Sequence, residues 1–265
     1  MGDRYQQGVG IACSCGVYLE SRPGRSSMVR PIAPICTCSE GSASVGRGEL
    51  DFWGSRVLAD RDDSQVGTRA SSAIVEWSST AKMPTRYGTF SIRAFRDREH
   101  RDHAVLFQGD MAGQARVPVR VHSECLTSEV LGSLRCDCKT QLDMALALIA
   151  ERRIGMLIYL RQEGRGTGLV SKIDAYALQD TGLDTVEASG ALGVPVDART
   201  YELAGDVIRL FGIASISLLT NNPAKIESLR RQGVVVADRI PMLCEPNEFN
   251  DAYLRAKKAK MSHMF

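Results

Sequence analysis

No apolar run in this chain approaches the roughly eighteen residues that a membrane span requires, which argues against a transmembrane role. Charge of one sign is also missing. Lysine and arginine number 33 against 31 aspartates and glutamates, and the formal net charge of +2 supplies no field suited to gripping a nucleic-acid backbone. The basic residues are therefore read locally. Met1-Gly-Asp-Arg-Tyr-Gln has no Ser or Thr at its sixth position, against N-myristoylation. Gly10-Ile-Ala-Cys-Ser-Cys-Gly-Val17 is too short and too poorly flanked for a secretory h-region. These absences leave a cytoplasmic protein with no membrane or nucleic-acid partner as the expectation. Lysine is absent from the first eighty residues, which are rich in Ser, Gly and Arg and hold no period of 2 or 3.6. Residues 1–81 are accordingly expected to be a largely disordered, low-complexity extension. Only Asp51-Phe-Trp53 and Ala73-Ile-Val-Glu-Trp77 read as ordered patches within it. Its two Cys-x-Cys pairs, Cys13/Cys15 and Cys36/Cys38, have no other ligand pattern beside them and read as incidental.

What is present is ordinary for a folded protein: 265 residues, 44% hydrophobic and 24% charged, enough for one large or two small domains. Regular patterning begins at Lys82. Gly88-Thr-Phe-Ser-Ile-Arg-Ala94, His103-Ala-Val-Leu-Phe-Gln108 and Val117-Pro-Val-Arg-Val-His122 combine alternation with β-branched residues and predict strands. Thr140 precedes the run Gln141 to Ala150, which predicts a helix with a threonine N-cap. Met156 to Leu160 followed by Leu169 to Gln179, and Ser215 to Thr220 followed by Pro223 to Arg231, predict two βα units. Proline fits the first turn of the second helix, and Gly233 can end it. Val234 to Arg239 predicts a further strand and Glu248 to Lys260 a closing lysine-rich helix. The expected fold is α/β (α+β): one catalytic domain over residues 82–265, with a mixed β-sheet flanked by helices.

Three cysteines stand in a distinctive arrangement. Arg120-Val-His-Ser-Glu-Cys125 is followed, ten residues on, by Cys136-Asp-Cys138. Structural zinc sites close the tetrahedron with four protein ligands, whereas catalytic sites hold three and leave the fourth position to water or substrate. Three clustered cysteines fit the second pattern, and zinc there would bring the pKa of water down to about 7. Free cysteines are also often small buried hydrophobes. Spacing alone leaves the two readings level.

Glu163-Gly-Arg-Gly-Thr-Gly168 is a glycine-rich loop after an apolar run. Glycine lets backbone N–H groups approach phosphate oxygens, and Arg165 adds a charge-assisted donor, yet the Gly-x-x-x-x-Gly-Lys spacing of a Walker loop is missing. Without context a plain tight turn is the better reading. Asp197-Ala-Arg199 by itself reads as a surface ion pair of little consequence.

These segments, together with Asp174-Ala-Tyr-Ala-Leu-Gln-Asp180 and Leu218-Leu-Thr-Asn-Asn-Pro-Ala-Lys225, resemble the GTP cyclohydrolase II family from about Lys82 to the C-terminus. The resemblance implies one catalytic Zn²⁺ per chain on Cys125, Cys136 and Cys138, with Mg²⁺ on the GTP phosphates. It marks Arg120, Val121, His122, Ser123, Glu124, Gln141, Glu163, Gly164, Arg165, Thr185, Thr220 and Lys225 as GTP contacts. Lys225 is physically suited to phosphate, because it lies in the first turn of a helix whose dipole favours anions. The family assigns the position of Asp197 as a proton acceptor, that of Arg199 as a nucleophile toward the α-phosphate, and that of Tyr176 to the ring chemistry. Arginine scarcely deprotonates in proteins, so on chemistry alone Arg199 is an electrostatic stabiliser. The implied reaction opens the imidazole ring of GTP at C8 with zinc-activated water, releases formate and cleaves off pyrophosphate. The product is 2,5-diamino-6-(5-phosphoribosylamino)pyrimidin-4-one, the first intermediate of riboflavin synthesis, and a homodimer is implied.

Two departures stand out: Thr167 replaces a more usual apolar residue, and the segment after Ile240-Pro241 lacks the family's longer, basic, glycine-containing stretch. They leave open a diverged paralogue supplying the same pyrimidine to a secondary-metabolite pathway. A non-catalytic nucleotide-binding protein is a further alternative. A zinc deaminase would require a Pro-Cys-x-x-Cys arrangement that is missing.

Overall fold

The computed structural model describes residues 73–251 and positions 253, 255, 258, 259 and 264; both N-terminal cysteine pairs and Asp51–Trp53 lie outside the described residues. In chain order the elements are β1 (Ile74–Trp77), β2 (Ala81–Thr85), β3 (Gly88–Asp97), β4 (Asp102–Gln108), β5 (Val117–Ser123), α1 (Leu126–Glu129), α2 (Cys138–Arg152), β6 (Gly155–Leu160), α3 (Gly168–Asp180), α4 (Thr185–Ala191), α5 (Glu202–Leu210), β7 (Ile216–Leu219), α6 (Pro223–Arg231) and β8 (Val236–Ile240). The eight strands form one mixed sheet in the order β1-β3-β4-β6-β5-β7-β8, with β2 also paired to β3. β3, β4 and β6 pair antiparallel, whereas β6, β5, β7 and β8 run parallel. The expected mixed sheet with helices is the observed architecture.

Burial on both faces explains the composition of the central strands. Val117, Val119 and Val121 of β5, with Met156, Ile158 and Leu160 of β6, pack on Leu203, Val207 and Ile208 of α5 and Leu229 of α6. The opposite face of β6 sends Leu157 against Ala145, Leu146 and Ile149 of α2. Period-two alternation therefore commits Arg120 and His122, which alternate with Val119 and Val121, to the face away from α5. The parallel strands β5, β6 and β7 end on the same side, the usual place for a ligand in an open α/β sheet.

Three local differences from the sequence reading have physical causes. α2 starts at Cys138 with Asp137 at its N-cap, and Thr140 lies inside the helix. The last helix begins at Asp251, because residues 248–250 form a turn. Ordered structure also starts ahead of Lys82, since β1 pairs with β3 through Ile74, Glu76 and Trp77. Trp77 packs on Phe95 and under Arg93, and the Ala73 N–H donates to Asp206 on α5 (2.9 Å). Four elements carry no counterpart in the sequence reading: β2, α1, α4 and α5. No helix among the described residues is long and apolar enough to cross a membrane.

Partly burying an indole, as at Trp77, is worth about 2 kcal/mol. A chain beginning at Ala73 should therefore exceed one beginning at Lys82 by at least that amount in denaturant unfolding. Equal midpoints and slopes would show β1 to be dispensable.

Candidate functional site

Arg120, buried on β5, has its charge solvated by protein. Its Nη1 donates to the Leu219 carbonyl (2.9 Å) and its Nη2 to Gln141 Oε1 (2.6 Å), while Nε and Nη2 approach His122 Nδ1 at 3.4 and 3.3 Å. Because a guanidinium only donates, Nδ1 is the acceptor and the imidazole carries its proton on Nε2. That nitrogen donates to Glu129 Oε1 (2.7 Å), and Tyr159 Oη donates to the other carboxylate oxygen (2.6 Å). His122 also stacks on Tyr159. Burial lowers the His122 pKa, so the ring stays neutral.

The single turn α1 carries the chain from Cys125 toward Cys136 and Cys138, at the start of α2. The three sulfurs lie within 4.8 Å of one another, and Cys125 and Cys136 are 3.6 Å apart. Thiolates on a tetrahedral ion with bonds of about 2.3 Å stand about 3.8 Å apart. This donor set therefore fits a metal with one position left open. Cys125 has the most favoured thiolate of the three, through sulfur hydrogen bonds from Cys136 and Cys138 and through the Lys172 ammonium, 3.1 Å away.

Glu163 ties the glycine-rich loop to that cluster. Its Oε2 accepts from the Leu126 N–H (2.6 Å), and its Oε1 accepts from the Gly164 N–H (2.7 Å) and Lys172 Nζ (2.8 Å). Gly164 and Arg165 both take left-handed backbone. Gly166 is required by close approach: a Cβ there would meet the Ala198 carbonyl carbon at 2.9 Å. The loop is thus packed against Asp197–Arg199, with Ala198 N–H donating to the Arg165 carbonyl (2.9 Å). Arg199 pairs bidentately with Asp197, Nε to Oδ1 at 2.8 Å and Nη2 to Oδ2 at 2.5 Å. Burial opposes both charges, but their mutual pairing outweighs it, lowering the Asp197 pKa and raising that of Arg199.

On the far side, Asn222 caps α6 by accepting from the Ala224 N–H (3.0 Å), and Pro223 occupies the first turn. Lys225 reaches back to the Val121 carbonyl (2.6 Å) over the Tyr201 ring. A cavity at the ends of the parallel strands is walled by Arg120, Cys138, Gln141, Arg165, Arg199 and Lys225, with His122, Ser123, Thr220, Asn221, Asn222 and Tyr253 completing it. Four of those residues are cations. Glu124 and Glu163 line a second, more open cleft with Arg101 and Arg161. Tyr176 on α3 lies under Arg135 and near Lys172, and burial, partly offset by its Thr127 hydrogen bond and Lys172, leaves its phenol pushed up to about 12. Val121 is present through its carbonyl, its side chain being in the core. Thr185 begins α4 behind a capping box at Asp184 and lines neither cavity.

Several contributors carry no motif. Glu129 and Tyr159 orient His122, and Lys172 bridges Glu163 to Cys125. Asn221 and Asn222 line the cavity, as does Tyr253, over whose ring Arg165 lies at 5.7 Å. His103 accepts the Arg161 N–H at Nδ1 (3.0 Å), and its Nε2 donates to buried Asp97 (3.0 Å), so Asp97 steadies the strand end that leads into Glu163. Only the spacing of Lys172 four residues before Tyr176 hints at a shared helix face.

A family model described as GTP cyclohydrolase II matches residues 76–241. The chain is 52% identical over 192 residues to a GTP cyclohydrolase-2 of Picrophilus torridus, covering 72% of this chain and 100% of that one. It is 48% identical over 187 residues to a GTP cyclohydrolase-2 of Campylobacter fetus, covering 71% and 94%. A riboflavin biosynthesis protein RibBA of Chlamydia muridarum is 48% identical over 193 residues, covering 72% of this chain and 46% of that protein.

Burial opposes the charge of Asp97, but hydrogen bonds from His103 and from the Arg101 backbone and guanidinium overcome it and hold its pKa at about 2, below the ordinary 3.8. A depressed carboxylate stabilises the fold above its unfolded pKa and ceases to do so as pH falls through the folded value. Asp97→Asn should therefore be less stable than the parent at neutral pH, and the gap should narrow between about pH 4 and about pH 2. Denaturant titration of both proteins, stripped of metal, measures it. A gap unchanged across that window would refute the role of the charge.

Proposed function

The chain belongs to the GTP cyclohydrolase II family and is a GTP cyclohydrolase of riboflavin biosynthesis, and we propose that Zn²⁺ on Cys125, Cys136 and Cys138 serves its hydrolytic opening of the guanine imidazole ring at C8. Formate and pyrophosphate leave, and 2,5-diamino-6-(5-phosphoribosylamino)pyrimidin-4-one remains. The observation that carries this reading is the double membership of Cys138: its sulfur belongs to the cluster of three, and its side chain lines the cation-walled cavity. When bound, the metal supplies the Lewis acidity that makes water nucleophilic near neutral pH.

The chain's own residues do the rest. Arg165, Lys225 and the start of α6 with Thr220 hold the triphosphate, where the helix dipole adds to the side-chain charge. Mg²⁺ arrives on the phosphates, the usual mode for that ion. Arg120 and His122 form the buried floor, Ser123 accepts a hydrogen bond from Gln162 (3.0 Å), and Glu124 and Gln141 face the guanine edge. Glu163 and Gly164 shape the loop beside it, and Thr185 is a contact by family correspondence alone. Tyr176, protonated at neutral pH, donates or relays a proton during ring opening. Asp197 accepts a proton during phosphoryl cleavage. Arg199, which its pairing keeps charged, stabilises the developing phosphate charge.

The enzyme is proposed to work in the cytoplasm as a homodimer joined at α3. No residue of that helix is buried, and Val170 is 77% exposed. Val130, Leu131 and Leu134 extend the apolar surface, because Arg135 binds Asp180 at the end of α3 (2.5 Å).

Cys138→Ser should abolish formate release while the phosphate side of the cavity persists, leaving slow formation of GMP and pyrophosphate. Arg199→Ala should lose pyrophosphate release. Chromatographic product analysis decides, with zinc content and circular dichroism as controls. A folded, zinc-free Cys138→Ser protein releasing formate at the parent rate would defeat the role of the metal. Separately, Val170→Asp should shift the sedimenting species from dimer to monomer, and an unchanged dimer would place the interface elsewhere.

A further inference from the structure

Lys172 has no part in the reaction as described so far, yet its ammonium touches the sulfur cluster at Cys125. Its side chain is 13% exposed on α3, and its ammonium donates to Glu163 Oε1 (2.8 Å) and to Cys125 Sγ (3.1 Å). Burying an ammonium is costly unless it is paired, and Glu163 supplies the pair. The bond to sulfur is the feature a simple ion pair leaves unexplained. Glu163 is itself fixed by the Leu126 and Gly164 N–H groups, so the ammonium is held in place from the carboxylate side and a second of its three donors is aimed at Cys125.

Charge bookkeeping at the cluster supplies the reason. Three thiolates on a divalent cation leave a net charge of −1, and electron-rich sulfur weakens the metal as a Lewis acid. A charge-assisted N–H to one thiolate draws density from that sulfur, neutralises the excess and fixes the direction of its lone pairs. We propose that Lys172 is a positioning residue of the metal centre, whose hydrogen bond to the Cys125 thiolate orients that ligand and keeps a tris-thiolate-bound metal electrophilic. This rests on the assignment of Cys125, Cys136 and Cys138 as metal ligands. Lys172 reaches the chemistry through Cys125, and the same geometry places its ammonium 5.8 Å from the centre of the Tyr176 ring.

The test uses the full chain loaded with Co²⁺ in place of zinc, without GTP, and reads the thiolate-to-cobalt charge-transfer absorption. Removing a hydrogen bond from a thiolate raises its donor orbitals, so Lys172→Met should move the band to longer wavelength at full cobalt occupancy. Lys172→Arg, which keeps charge and donors, should return it toward the parent position. In the zinc-loaded enzymes formate release should fall about 10- to 100-fold in Lys172→Met and recover in part in Lys172→Arg. If Lys172→Met does not fold, Lys172→Gln keeps a neutral donor and should shift the band in the same direction by less. A parent protein with no charge-transfer band would overturn the cysteine assignment itself. A parent band that Lys172→Met, or Lys172→Gln in its place, leaves where it was overturns the role of Lys172 alone.

Discussion

A guanidinium that cannot reach water organises this site. Arg120 lies on the strand at the middle of the parallel half of the sheet, only 5% exposed, and an arginine keeps its charge under such conditions. Its donors must then be met by protein. The Leu219 carbonyl ties it to β7, Gln141 to α2, and His122 through Glu129 to α1 and through Tyr159 to β6. Three consecutive elements, α1, α2 and β6, and the distant β7 are thereby held in register around one ion. The short turn α1 depends on this arrangement most, because its own hydrogen bonds are too few to stabilise it in isolation.

Beyond that floor, the distribution of carboxylates decides what the cavity can hold. Asp197 is committed to Arg199, Glu129 to His122 and Tyr159, and Glu163 to Lys172 and two backbone amides. The cavity is lined by Arg120, Arg165, Arg199 and Lys225 and by no carboxylate among the described residues, a wall that complements a polyanionic triphosphate. The sulfur cluster lies beside that positive field. A metal with three thiolates would be electron-rich, and the ammonium that touches one of those sulfurs, Lys172, is not part of the phosphate side.

Much of the architecture was legible because hydrophobic period and β-branching directly report burial. β3, β4, β5 and β6, the helices α2, α3 and α6, and the place of Lys225 in the first turn of α6 all follow from local pattern. β2 and α5 have no counterpart in the local pattern, and β1 shows there only as an ordered patch, for different reasons. The two edge strands are short and half-exposed, so alternation has little length in which to show, and Lys82 drew the boundary too late. α5 presents Leu203, Val207 and Ile208 to the core, but its length of 9 residues and the glycine inside it, Gly205, weaken the helical pattern. Thr140 looked like an N-cap, but the fixed positions of Cys136 and Cys138 start the helix earlier, at Cys138.

The amino-acid sequence by itself determined the order of strands and helices, the alternation that sends Val119 inward and Arg120 to the other face, and the residue types needed for metal and phosphate chemistry. Those properties depend on neighbours within a few positions. Only the tertiary structure decided that Cys125 meets Cys136 and Cys138, that Gly166 is pressed against Ala198, and that Lys172 spans Glu163 and Cys125. Such contacts join residues 9 to 47 positions apart across different elements, and no local period or propensity encodes the distance between them. It is set by the sheet, which brings the ends of β5, β6 and β7 to one side and leaves the buried charges there to find their partners.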